Sequence, residues 1–199
     1  MTKEKQFRFD TKYLRMARIW AENSYAERRK VGCLIVKDNM IISDGYNGCP
    51  SGFENKCEDT RYIDEKRCRL CEREHCEGCD NIETFTKPYV LHAEANAITK
   101  LAKSTNSSEG ATLYVTCSPC FDCAKLIIQA GIKQVYYLEE YRDTKGLDLL
   151  VKAGLEVYKV IIKPNDDFCK DSDTCKNFCP CICDEHCCYE PNIVKYESN

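Results

Sequence analysis

The chain has 199 residues, of which 43% are hydrophobic and 31% charged, enough for one packed core and marginal for two. Lysine and arginine number 29 against 32 acidic residues, a formal charge of −3, which excludes a broadly basic coat for nucleic acid or anionic lipid. No apolar run reaches the roughly 18 residues of a membrane span, and MTKEKQFRFD at the start is not followed by the apolar core of a secretory signal, so a soluble, cytoplasmic protein is expected.

Between residues 10 and 26, Leu14, Ala17, Ile19 and Trp20 recur at mixed spacings of three and four, which predicts a helix with Asp10 or Thr11 as its N-cap. Residues 31–36 and 40–46 are rich in β-branched side chains and flank the turn-like Lys37-Asp38-Asn39, so they predict a hairpin. NGCPSG then reads as a loop, and from about 53 to 88 apolar periodicity gives way to charge and cysteine, the mark of an insertion that no hydrophobic core orders. Regular structure returns at His92. HAEANAITKLA predicts a helix, 112–116 a strand, PCFDCAKLIIQAG a helix closed by Gly131, and 133–139 a strand. Residues 144–153 predict a helix ended by Gly154, and 155–162 a last strand before Pro164. This alternation is that of an α/β layered domain, a mixed five-stranded sheet with flanking helices, over residues 1–165. Residues 166–199 hold eight acidic and three basic residues, a local charge of −5, with few aliphatics, and are expected to form an acidic Cys-rich tail without a core of its own.

Seventeen cysteines are far above ordinary usage and imply disulfides or metal. A reducing compartment favours thiolate ligation of metal over a disulfide framework. The two segments with chemical content are HAEANA, from His92, and SPCFDC, from Ser118. Each would open a helix, with proline in the first turn of the second, and Cys120 and Cys123, three residues apart, would share a face and grip one ion with His92. Three protein ligands around tetrahedral zinc keep the fourth position for water, the arrangement of a catalytic site. Glu94 is the free carboxylate two residues on, placed to take a proton from that water and pass it to a leaving group. Two helix N-termini aimed at the metal would favour thiolate and hydroxide there. HxE followed by PCxxC is the general signature of zinc-dependent base deaminases. A lone CxxC has bland readings as a redox pair or core thiols, so the specificity lies in the combination.

With VGCLIVKDNMIISDGYNGCPSG, HAEANAI, TLYVTCSPCFDCAKLIIQAGIKQVYY and EEY in this order, residues 10 to 163 resemble the deoxycytidylate (dCMP) deaminases, including the late-competence protein branch, within the cytidine deaminase superfamily. The resemblance implies a cytidine-deaminase-like fold and hydrolysis of dCMP to dUMP and ammonia, which supplies thymidylate synthesis. It implies His92, Cys120 and Cys123 as ligands of a catalytic zinc and Glu94 as proton shuttle, with backbone around Thr116 to Ser118 lining the base. Asn47 matches a position that contacts sugar or base, Tyr141 a tyrosine near the nucleotide, and Ser24 and Arg28 a serine and an arginine that hold the 5′-phosphate. It also implies a homo-oligomer, hexamer or dimer, with dCTP and dTTP as effectors at the glycine-rich loop. Neither a membrane nor a nucleic acid is an expected partner, since a tRNA substrate would call for a basic face. The competing readings are another cytosine nucleotide such as dCTP as substrate, a tRNA base, a redox-sensing enzyme, or a zinc-stabilised binding module with a vestigial deaminase core.

The remaining cysteines divide into three groups. Cys33, Cys49 and Cys117 are expected to be small buried hydrophobes. In CRLCEREHCEGC the pairs Cys68 with Cys71 and Cys76 with Cys79 could supply four thiolates to a structural zinc, with Cys57 and His75 as substitutes. Some relatives bind a second zinc through a cysteine just after the glycine loop, near Cys57. In the tail, Cys169, Cys175, Cys179, Cys181, Cys183 and Cys187, with Cys188 and His186, are metal candidates on composition alone.

Overall fold

The computed structural model describes residues 2–62, 82–162 and 192–198. The expected zinc ligands Cys68, Cys71, Cys76 and Cys79 with His75, and all the tail candidates from Cys169 to Cys188 with His186, lie outside the described residues.

Helix α1 spans Lys3–Ala21, strands β1 and β2 span Gly32–Lys37 and Met40–Tyr46, and β3 and β4 span Glu58–Tyr62 and Ile82–Thr86. Then come α2 (Ala93–Leu101), β5 (Thr112–Cys117), α3 (Phe121–Gln129), β6 (Gln134–Glu139), α4 (Lys145–Lys152), β7 (Glu156–Ile161) and β8 (Asn192–Lys195). Among the described residues the main sheet has six strands in the order β2-β1-β5-β6-β7-β8, with β5, β6 and β7 mutually parallel and the other pairings antiparallel. The β1–β2 turn places Asp38 and Asn39 at φ of 51° and 63°, the left-handed pair that a two-residue hairpin needs and that Asp and Asn tolerate best after glycine.

Strand residues alternate between two cores, as a doubly covered sheet requires. Cys33, Ile35, Leu113, Val115, Val135, Tyr137 and Val157 face α2, α3 and α4, where Ala93, Ala97, Ala124, Ile127 and Leu150 are fully or almost fully buried. Leu34, Val36, Tyr114, Tyr136 and Val160 face α1, which supplies Tyr13, Leu14 and Ala17. On that side Tyr13, Tyr114, Tyr136 and Tyr158 form a ladder with ring centroids 4.8 to 5.2 Å apart. Gly131, at φ 70°, ends α3 where the sequence places its stop.

Three features differ from the sequence expectation. The first helix starts at Lys3 with Thr2 as N-cap, whose side chain accepts from the Lys5 N–H. Asp10 is an interior residue that faces the sheet, buried and accepting from the Tyr114 hydroxyl at 2.6 Å and the Gln6 amide at 2.8 Å, while the Thr11 hydroxyl bonds back to the Phe7 carbonyl. Burial raises the Asp10 pKa, against the pull of these two donors. A sixth strand, β8, comes from the segment read as tail. It covers the outer edge of β7, with Ile193 packed on the tyrosine side and Tyr196 donating to Asp148 of α4 at 2.8 Å, so this end returns to the main domain. Finally, the base of the insertion is an ordered hairpin, β3 with β4, in which Glu58 pairs with Thr86.

Candidate active site

The site lies at the C-terminal end of β5, where the chain leaves the sheet for α3. Here β5 pairs antiparallel with β1 on one side and parallel with β6 on the other, the kind of switch at which open α/β sheets carry their ligand crevices. His92 is the N-cap residue of α2 and Cys120 that of α3, and neither side chain caps its own helix. Both are thereby free to point into the crevice, with Cys123 one turn further along α3. The approach of α2 to the sheet depends on Gly45 in β2, where any Cβ would overlap the Ala93 carbonyl oxygen. Asn96 ties the same helix down, donating to the Tyr46 carbonyl at 2.7 Å.

His92 Nδ1 lies 3.4 Å from Cys120 Sγ and 3.4 Å from Cys123 Sγ, and the three ligand atoms all fall within 4.8 Å of one another. Zinc–nitrogen and zinc–sulfur bonds of ordinary length at a tetrahedral angle put nitrogen and sulfur about 3.5 Å apart, so this donor set fits zinc. It is the one cluster of three such donors among the described residues. The Cys123 thiol and the His92 ring hold Cys120 down at about 4, against the opposing effect of burial. Glu94, 3% exposed, follows in the first turn of α2. Burial raises its pKa to about 7, with its own backbone N–H and the His92 charge pulling the other way. A carboxyl group poised there can both accept and return a proton.

The cleft above this floor has a volume of about 340 Å³. Of the expected substrate contacts, Arg28, Asn47 and Tyr141 line it. Ser24 does not. Its buried hydroxyl donates to the Asn47 carbonyl at 2.8 Å and accepts from the Ala26 N–H at 3.1 Å, so it shapes the loop that leads to Arg28. Asn47 also has structural work: its amide accepts from the Val31 N–H at 2.8 Å and donates to the Arg29 carbonyl at 2.9 Å. The Tyr141 N–H donates to the Ser118 hydroxyl at 2.7 Å, and the Arg142 guanidinium lies 5.2 Å from the centre of the Tyr141 ring.

Cys117 and Ser118, in the segment expected to line the base, do line the cleft, while sequence reasoning missed Arg29, Glu58, Thr86 and Arg142 as cleft residues. Arg29 donates to Glu139 at 2.7 Å and to Cys117 Sγ at 3.1 Å. Cys117 is buried as expected, and burial raises its thiol to about 11, so it stands here as a neutral acceptor. Arg29, Glu58, Thr86 and Arg142 belong to no motif, and only tertiary structure brings the 24–31 loop, the β3–β4 hairpin and the end of β6 together around the cleft. Cys33 is fully buried; Cys49 is half-buried against Cys57, which is itself buried beside Ala26 and Val90. The six described cysteines are all free thiols.

A buried carboxylate beside a His/Cys/Cys triad, at the mouth of a mixed sheet covered by helices, defines a zinc-dependent deaminase. The profile of the cytidine and deoxycytidylate deaminase zinc-binding region matches residues 8–139, and the chain belongs to that family. It is 37% identical over 171 residues to the deoxycytidylate deaminase of Enterobacteria phage T4, covering 74% of this chain and 87% of that one. It is 36% identical over 149 residues to ComE operon protein 2 of Bacillus subtilis (74% and 69% covered). The crystal structure of dCMP deaminase from the cyanophage S-TIM5, in complex with dCMP and dUMP, superposes with a TM-score of 0.61 at 39% identity, over 80% of this chain and 98% of that one. No helix among the described residues is long and apolar enough to cross a membrane.

Proposed function

We propose that the protein converts dCMP and water to dUMP and ammonia. The observation that carries this reading is the buried Glu94 beside a zinc-sized His92, Cys120 and Cys123 triad, at the floor of a cleft whose rim carries Arg28, Arg29 and Arg142. The names of the relatives support the choice of nucleotide.

His92 Nδ1 and the sulfurs of Cys120 and Cys123 would hold the zinc, which when bound would supply Lewis acidity to lower the pKa of water at neutral pH. The remaining duties fall to the chain. Glu94 accepts the proton that the attacking water loses, delivers it to the ring nitrogen, and carries the second proton to the departing amine, so that C4 exchanges nitrogen for oxygen and ammonia leaves. The cleft walls hold the base and exclude bulk water, which strengthens each of these electrostatic contacts. Tyr141 offers a ring face at the mouth, and Arg28 and Arg142 offer guanidinium groups suited to a phosphate. The reading extends to a cytoplasmic homo-oligomer with dCTP and dTTP as effectors, and to structural zinc in the Cys-rich insertion.

The test is loss of cytosine absorbance with zinc-loaded protein on dCMP, dCTP, cytidine and deoxycytidine, each with and without dCTP or dTTP. Turnover of dCMP well above the others is expected. Preference for an unphosphorylated nucleoside, or no turnover of any of the four, would overturn the reading.

A further inference from the structure

Glu58 is a puzzle on simple electrostatics. It is 4% exposed and lines the cleft proposed for an anionic nucleotide, where a buried carboxylate repels substrate and is costly to desolvate. Its oxygens are directed into the 24–31 loop: one accepts from the Glu27 N–H at 3.1 Å, the other lies 3.4 Å from the Arg28 N–H. Directly across the β3–β4 hairpin from Glu58 stands Thr86, whose hydroxyl oxygen lies 3.5 Å from Arg28 Nη1. One rung of this hairpin thus meets both the backbone and the guanidinium of the same arginine. The loop has no secondary structure of its own, and Arg28 has four side-chain torsions to fix before it can meet a phosphate in one geometry.

We infer that the Glu58–Thr86 rung positions Arg28 for the 5′-phosphate of the nucleotide, with Glu58 as a positioning residue that makes no contact with substrate. The inference rests on the dCMP reading above and on Arg28 as a phosphate ligand. It gives the β3–β4 hairpin a function: the base of the insertion is part of the specificity machinery.

Two effects of Glu58→Gln have opposite signs, which makes the role measurable. Removing a negative charge from the cleft would by itself tighten dCMP binding. Replacing a carboxylate oxygen by an NH₂ group sets a donor against a backbone N–H and releases the loop, which would weaken it. Steady-state kinetics of the zinc-loaded wild type, Glu58→Gln, Thr86→Val, Arg28→Gln and the Glu58→Gln/Arg28→Gln double variant, on dCMP and on deoxycytidine, decide between them. The expected result is that the ratio of kcat/KM for dCMP over that for deoxycytidine falls about 10-fold in Glu58→Gln and somewhat less in Thr86→Val, chiefly through KM for dCMP. It falls about 10- to 100-fold in Arg28→Gln, and the double variant matches Arg28→Gln alone, since the rung acts through that arginine. A lower KM for dCMP in Glu58→Gln, an unchanged ratio in both rung variants, or full additivity in the double variant would overturn the inference while leaving the dCMP reading intact. Should Glu58→Gln fail to fold, Thr86→Val and its own double variant with Arg28→Gln carry the same test. A wild type that does not prefer dCMP is the distinct outcome that removes the reading itself.

Discussion

The floor and the rim of the cleft are built by different means. The floor is made of side chains at two helix N-termini, and those helices press small residues, Ala93, Ala97 and Ala124, into the larger core. The geometry of His92, Glu94, Cys120 and Cys123 is therefore inherited from close packing, which has little freedom to relax. The rim is made of loops, and polar side chains reaching backbone atoms far away in sequence hold it: Ser24 to residue 47, Asn47 to residues 29 and 31, Glu58 to residue 27, Ser118 to residue 141. On the function proposed above, chemistry rests on the rigid part and substrate selection on the adjustable part, so damage to the two should look different in kinetics.

The sharpest separation should come from Cys123→Ser. Hydroxyl is a poor zinc ligand beside thiolate, so metal content should drop well below one per chain and turnover should fall by at least about 10³-fold, as metal analysis on the same samples would show. Gly45→Ala attacks the floor without touching a ligand. Its methyl group meets the Ala93 carbonyl, and forcing α2 away should cost about 1–3 kcal/mol, read as a fall of about 2–10 °C in Tm with a parallel loss of kcat. A variant with normal stability and normal kcat would show that the floor is softer than its packing implies. At the rim, Asn47→Ala leaves the Val31 N–H without its acceptor, for a loss of about 1–3 kcal/mol, and KM should rise more than kcat falls. Ser118→Ala removes one acceptor from the Tyr141 N–H, and the expected change is smallest, about 2- to 10-fold in KM for dCMP. Equal effects on kcat and KM in either rim variant would erase the distinction between the two regions.

The same contrast explains what could be read from the sequence. The floor was legible because its residues sit at fixed spacings: HxE places the histidine at a helix start with the carboxylate one step inside, and PCxxC places two sulfurs on one helical face. The strands of the sheet were legible as short apolar runs at 31–36, 112–116 and 133–139, the kind that a sheet covered on both faces carries. The rim was not, because Glu58, Thr86, Arg29 and Arg142 carry no local pattern, and in a chain with 31% charged residues an arginine in a cleft looks like one in solvent. Ser24 shows the reverse: its match to a phosphate-binding position was visible, while its buried bonds to residues 26 and 47 were tertiary facts. The strand Asn192–Lys195 was hidden for a third reason. Four residues at the end of an acidic, cysteine-rich stretch give almost no periodicity, and only the open edge of β7 makes them a strand.

The central claim is that Glu94 moves protons and holds no metal. Glu94→Gln keeps the shape of the side chain and removes its basicity, so zinc content and dCMP turnover measured on the same preparations of wild type and variant test it directly. The account predicts equal zinc in both, and a kcat lowered by about 10²- to 10⁴-fold in the variant. Turnover within a few-fold of wild type at equal zinc, or zinc lost together with activity, would contradict it.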